Sequence, residues 1–314
     1  MPTFCSHNSR DTSLESPIGS ASAFTRAFLF EVPLPWSRIP LETPQLPEQL
    51  RTAIANFEAA KGKTSVYLLA PDSTYAVDGA RLIDIAIENG TVHKHEYIAA
   101  DGNIAKVIDA LAADQPLPSS VTEDTTPWRD VAICTHGSRD ACCATFGAPT
   151  YLKMHAAAKH LPNTRVWRCS HLGGHRFAPT LNDLPDGRVW GLLDEDTARN
   201  VLLGGVEPAK LIPHYRGFVG QKGPELQMLE AHILETIGWR WIEFAQTGEV
   251  LARDEQGRGT HVRITGTHPD GDSLCFEGDI SWGEEFTTIA SCNAEPVTYV
   301  RKHLENTREL VPNI

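Results

Sequence analysis

A chain of 314 residues, 41% apolar and 22% charged, has the composition of a folded globular protein and is long for one core, so two or three domains are expected. Its formal net charge of -12 argues against a broad nucleic-acid-binding face. No apolar run approaches the length of a bilayer span, and the start, MPTFCSHNSRDTSLESPIGSAS, lacks a basic patch followed by an apolar stretch, so no membrane role is expected and a cytoplasmic location is.

Residues 1–22 are polar and Ser-rich and read as a flexible tail. AFLFEV reads as a first buried strand, and PEQLRTAIANFEAAKG as a helix stopped at Gly62. TSVYLLAP is a short β-branched strand closed by Pro71, RLIDIAIENGTVHKHEYIA a strand and its neighbour, and NIAKVIDALAAD a helix. This order predicts a small N-terminal α/β domain over 23–117. PLPSSVTEDTTP, 116–127, is a linker by composition.

A second α/β domain is expected over 128–220. DVAIC is a strand ending on Cys134, THGSRDACCATFG a loop, and PTYLKMHAAAKHL a helix with Pro149 near its start. RVWRCSH is a strand, LGGHRFAP a loop, GRVWGLLD a further strand, and DEDTARNVLLGG a helix stopped by glycines. Residues 221–314 read as a mixed α+β segment: a helix within GPELQMLEAHILETIG, alternating antiparallel strands, and a last helix over VTYVRKHLENTREL. No repeat of fixed period stands out.

The chemistry concentrates in CTHGSRDACC, 134–143, and HLGGH, 171–175. Both fall in loops directly after strands of one domain, where adjacent strand ends bring loops together. Seven cysteines, four of them between 134 and 169 and the isolated Cys5, Cys275 and Cys292 elsewhere, do not resemble a disulfide framework and point to metal or thiol chemistry. Cys142 and Cys143 are neighbours whose side chains point apart, so one of them is a spare. Cys169 sits two residues before His171 and is read as a small buried apolar residue in competition with a ligand role. His136 is a ligand, a hydrogen-bond donor to one, or a solvated side chain. The paired glycines of HLGGH exclude a helix and permit a loop that wraps a bulky object.

Spacing tests the alternatives. CTHGSR has four residues between Cys134 and Arg139, too few for a cysteine-phosphatase cradle, and a CxxC redox motif is absent. Two Cys and two His form a legitimate zinc set, although structural zinc favours closely paired ligands. An iron–sulfur cluster tolerates the wider gap, and two imidazoles replacing two thiolates is Rieske chemistry. Two ferric ions, two sulfides and two thiolates sum to zero, where four thiolates would leave -2, so histidine ligation raises the reduction potential and allows proton uptake to couple to the electron.

DVAICTHGSRDACCA followed by RVWRCSHLGGHRFAPTLNDLPDGRVWG resembles the sucrase/ferredoxin-like proteins, thioredoxin-like 2Fe-2S ferredoxins of the bis-histidinyl type, with SHLGGHRFA the most specific part. The resemblance implies a thioredoxin-like ferredoxin domain, preceded by a small α/β domain (a degenerate thioredoxin-like unit is one reading) and followed by a mixed α+β segment. It implies a 2Fe-2S cluster on Cys134, Cys143, His171 and His175, with Cys142 the doubtful neighbour and a flavoprotein reductase as electron donor. Arg176 would hydrogen-bond the cluster surround, dock an acidic partner or shape the loop through a salt bridge; Trp167 and Trp190 are read as core. The expected function is one-electron transfer rather than catalysis. A structural-zinc interaction module and a thiol- or cluster-dependent reductase are the alternatives.

Overall fold

The computed structural model describes residues 4–11 and 15–310. It is a mixed α/β structure with six α-helices and two β-sheets among those residues. The larger sheet has ten strands and is built from two halves of the same topology.

In the first half β1 (Arg26–Glu31) and β2 (Ser65–Leu69) run parallel around the crossover helix α2 (Glu48–Lys61). β3 (Ala80–Glu88) pairs antiparallel with β1, β4 (Thr91–Ala99) pairs antiparallel with β3, and α3 (Ala105–Ala112) follows. The second half repeats this order. β6 (Arg129–Cys134) and β7 (Thr164–Cys169) are parallel around α4 (Ala141–Ala158), β8 (Leu181–Leu184) is antiparallel to β6, β9 (Arg188–Trp190) to β8, and α5 (Glu195–Leu203) follows. Each half is thus a thioredoxin-like βαβ-ββα unit. Only the second carries a thiol where its first strand ends: Cys134 stands opposite Cys169 on the β6–β7 rungs, while the corresponding rung of the first half pairs Glu31 with Leu69.

The halves join edge to edge through β2 and β7, which pair antiparallel at Leu69 and Cys169. Arg165 on β7 spans the joint, holding Asp130 on β6 and Glu96 on β4, and Arg81 pairs with Glu96 and Glu31. Arg81, Glu96, Asp130 and Arg165 are buried. Such a network is costly to break at one member, because the remaining charges stay buried and uncompensated.

β10 (Tyr215–Phe218) closes the large sheet beside β9 and leads into α6 (Pro224–Ile237). Beyond it β11 (Ala245–Arg253), β12 (Gly259–Thr267), β13 (Ser273–Ile289) and β14 (Pro296–Leu310) form a four-stranded antiparallel meander. Its inner face, with Val262, Ile264, Phe276 and Ile280, packs with Leu229, Trp241 and Phe244 into the same core as Val131, Ile133 and Trp190. Burial of each such side chain contributes about 1.5–3 kcal/mol, so residues 221–314 gain stability from the second half.

Several expectations are corrected. Within the expected tail of 1–22, residues 1–3 and 12–14 lie outside the described residues, but Cys5–Asp11 form α1 with Cys5, Ser6 and Ser9 buried. The helix expected from Pro149 begins at Ala141, because Asp140 caps it by accepting from the Cys142 amide at 2.9 Å; Pro149 lies inside it. The linker of 116–127 contributes a short edge strand, β5 (Val121–Glu123), paired with β4. The expected last helix, VTYVRKHLENTREL, is β14: it folds back along β13 after a turn with Asn293 at φ 59°, and cross-strand pairing overrides its helix-like spacing. No described helix is long and apolar enough to cross a membrane.

Candidate metal centre

The two loops singled out in the sequence meet at one end of the second half. Cys134 is the last residue of β6 and 1% exposed; Cys143 lies in the first turn of α4 and is also 1% exposed. Their approach depends on Gly147. A Cβ there would stand 1.9 Å from the Cys134 carbonyl oxygen, so only glycine lets α4 lie this close to the end of β6.

The ligating atoms of Cys134, Cys143 and His171 lie within 4.8 Å of one another. His175 falls outside that tightest group, but its ring centroid is 5.4 Å from that of His171. Nδ1 of both rings is buried without a hydrogen-bond partner. Nε2 of His175 donates to the Ala290 carbonyl at 2.8 Å, which leaves Nδ1 as its lone-pair nitrogen. Two orphaned imidazole nitrogens beside two converging sulfurs are a donor set with nothing to donate to, which fits a bound metal centre.

The sulfurs share charge unequally. Cys134 is held well below the ordinary thiol range, chiefly because the Cys143 thiol donates to its sulfur, with His171 and the His136 backbone N–H adding to it. Cys143 is pushed up in turn, first by that same hydrogen bond and then by burial. Cys169 stays a protonated thiol, raised by burial and by the neighbouring Cys134 charge. It is fully buried and outside the converging group, as a small core residue is.

His136 is neither solvated nor a ligand. It is 2% exposed, its Nδ1 accepts from the His171 backbone N–H at 3.1 Å, and its Nε2 donates to the Ser37 carbonyl at 2.9 Å. Both nitrogens are engaged, so the ring ties the cysteine loop to the histidine loop and to the segment after β1. Ser138 Oγ reinforces the tie by donating to the Trp36 carbonyl at 2.7 Å.

The histidine loop bends through Gly173 and Gly174, at φ 82° and 62°. A Cβ on Gly174 would also stand 2.2 Å from Nη2 of Arg216. Arg216, on β10, is a functional candidate that sequence reasoning missed, since no motif surrounds it. Its fully buried guanidinium donates to the Gly173 carbonyl at 3.1 Å, to Ser20 Oγ at 3.0 Å and to the Ser20 carbonyl. Burial, then the nearby Arg176 charge, lower its pKa to about 10, against the pull of Cys134 and Cys143. Arg176 shapes the loop: it pairs with Glu15 at 2.5 Å and lies over the Tyr299 ring at 4.7 Å. Trp167 and Trp190 are each 1% exposed and packed in the core. Cys142 points away from Cys143, toward Cys5 and Cys292.

The second thioredoxin-like half thus has a first strand and a helix that each present a cysteine to a two-histidine glycine loop, a thiol–imidazole group that could hold a metal ion. The model of the sucrase/ferredoxin-like family matches residues 17–217, well over half of the chain, and the chain belongs to that family. The match spans both halves of the large sheet up to β10. No curated protein and no solved structure matches the chain.

Proposed function

We propose that the protein is a one-electron carrier in which Cys134, Cys143, His171 and His175 hold a 2Fe-2S cluster. The observation that carries this reading is the pair of buried, unpartnered Nδ1 atoms of His171 and His175 beside the Cys134–Cys143 pair. When bound, the cluster supplies one-electron redox chemistry from an oxidised state that two thiolates leave uncharged.

The chain's own residues set the conditions. Cys134 already favours the thiolate that a metal requires. His136 fixes the backbone of His171, and the Ala290 carbonyl orients the His175 ring through its Nε2 proton. That proton sits at the nitrogen remote from the metal-facing one, where its loss or retention would follow the charge of the centre. Arg216 adds a fixed positive charge that favours the more negative, reduced state. A flavoprotein reductase is the donor that the family resemblance implies, and no substrate chemistry is assigned to the chain.

Mononuclear zinc is the second reading, favoured by the compactness of the Cys134, Cys143 and His171 group. Iron and acid-labile sulfide content of anaerobically purified protein separates them. Two iron and two sulfide per chain, lost in C134S, are expected; a colourless protein without sulfide, whose zinc is lost in C134S, would overturn the electron-transfer reading.

A further inference from the structure

A second group of donors lies beside the first and belongs to none of the chemistry above. The Sγ atoms of Cys5 on α1, Cys142 on α4 and Cys292 in the β13–β14 turn are separated by 3.5 Å (Cys5–Cys142), 3.8 Å (Cys5–Cys292) and 3.1 Å (Cys142–Cys292). An Asp140 carboxylate oxygen stands 3.9 Å from Cys5 Sγ and completes a set of four ligand atoms within 4.8 Å of one another. We propose that Cys5, Cys142, Cys292 and Asp140 bind a structural zinc ion, separate from the Cys134, Cys143, His171 and His175 centre.

The spacing suits that ion. A Zn–S bond of about 2.3 Å in tetrahedral geometry places neighbouring sulfurs about 3.8 Å apart. Cys5 already lies at or just inside that separation from both partners, and the Cys142–Cys292 pair at 3.1 Å needs to open only slightly, although the sulfurs come from positions 137 and 150 residues apart along the chain. Cys5 and Cys142 are fully buried and Cys292 half-buried, in a small apolar cluster with Ala178, Phe4 and Phe146, and within it the three sulfurs gather against a carboxylate rather than against hydrocarbon alone. The surroundings are built for thiolate: Ser6 directs its backbone N–H, at 3.5 Å, and its hydroxyl, at 3.2 Å, to Cys142 Sγ. Asp140 is held by Ser291 Oγ at 2.7 Å and the Cys292 amide at 3.0 Å through Oδ2, and by the Cys142 amide through Oδ1. A carboxylate has lone pairs to spare beyond those three bonds. The 18-residue helix α4 also begins here, with the positive end of its dipole toward the anionic ligand set.

The proposed ion staples three segments that also meet through the Asn8–Thr288 hydrogen bond at 2.8 Å and the packing of Phe4 and His7 on Phe146. It fixes α1 to the second half and seats the β13–β14 turn, whose Ala290 carbonyl holds His175. It meets the first centre at one point, where the Asp140 carboxylate stands 3.7 Å from Nε2 of His175, and it stands or falls independently of what occupies that centre.

The test is metal analysis of the full chain, purified anaerobically from medium containing both iron and zinc. About one zinc per chain is expected in wild type, retained in C134S and lost in C5S and in C292S. Zinc-edge X-ray absorption is expected to report three sulfur ligands and one light-atom ligand in C134S and wild type alike. Should a substitution prevent folding, wild-type protein still decides: Cys5, Cys142 and Cys292 should resist alkylation until a zinc chelator is added. Wild-type protein free of zinc, a Cys142–Cys292 disulfide in it, or zinc retained at full occupancy in C5S would each overturn the proposal.

Discussion

The His171 backbone N–H donates to Nδ1 of His136 at 3.1 Å, and the far nitrogen of the same ring donates to Ser37. One imidazole thereby fixes the position of the next. H136F is expected to leave the part-buried His171 amide unpaired, a cost of about 1 kcal/mol. Urea unfolding should show that loss, and a chelator should strip iron from H136F several-fold faster than from wild type. Wild-type stability and iron retention together would remove His136 from the positioning role.

H175C is expected to keep a cluster while lowering its potential by on the order of a hundred millivolts, because a thiolate adds a negative charge that a neutral imidazole does not. The variant also loses the Nε2 proton held by Ala290. Voltammetry across pH should therefore give a flatter potential–pH slope than wild type. An unchanged midpoint and slope would count against His175 as a ligand.

G147A places a methyl group 1.9 Å from the Cys134 carbonyl oxygen, a backbone atom that cannot swing aside. Overpacking of this kind costs about 1–3 kcal/mol or more. The expected result is a lower thermal midpoint and poor iron loading, from a substitution that removes no donor atom. Full loading with wild-type stability would show that α4 does not need this close approach.

R216M removes a buried positive charge beside the two sulfurs and leaves the Gly173 and Ser20 carbonyls without their donor. The potential is expected to fall, and its pH dependence to persist because both histidines remain. R216K should fall less. A midpoint unchanged in R216M would mean that the charge does not reach the centre.

Burial raises the Asp140 carboxyl, but hydrogen bonds from Cys292, Ser291 and Cys142 outweigh it and hold the group at about 2. An unfolded aspartate titrates near 3.9. The folded value is the lower one, so this contribution is present above about pH 4 and is lost as pH falls through about 2. In metal-free protein, acid is expected to weaken wild type across that window more than it weakens D140N. Equal losses would remove Asp140 from the balance.

The strand-loop placement of Cys134 and of HLGGH was legible because each motif directly follows a β-branched run, and the glycine pair could only be a loop. The direction of Cys142 away from Cys143 followed from their adjacency. Where it pointed did not, since Cys5 and Cys292 lie in segments whose docking is a long-range event. Arg216 was hidden for the same reason: it reaches the histidine loop across the sheet end. The shared topology of the two halves left no sequence period, because strand pairing repeats while side chains diverge. In β14 the apolar spacing of VTYVRKHLENTREL mimics a helix, and only the partner strand decides otherwise.

The most direct test is pulsed EPR of the dithionite-reduced, anaerobically purified protein carrying 15N-labelled histidine. The expected result is a reduced 2Fe-2S signal with strong couplings to two histidine nitrogens, one of them missing in H175C. A silent spectrum from protein with a full metal complement, or a cluster signal without histidine nitrogen coupling, would contradict a centre held by Cys134, Cys143, His171 and His175.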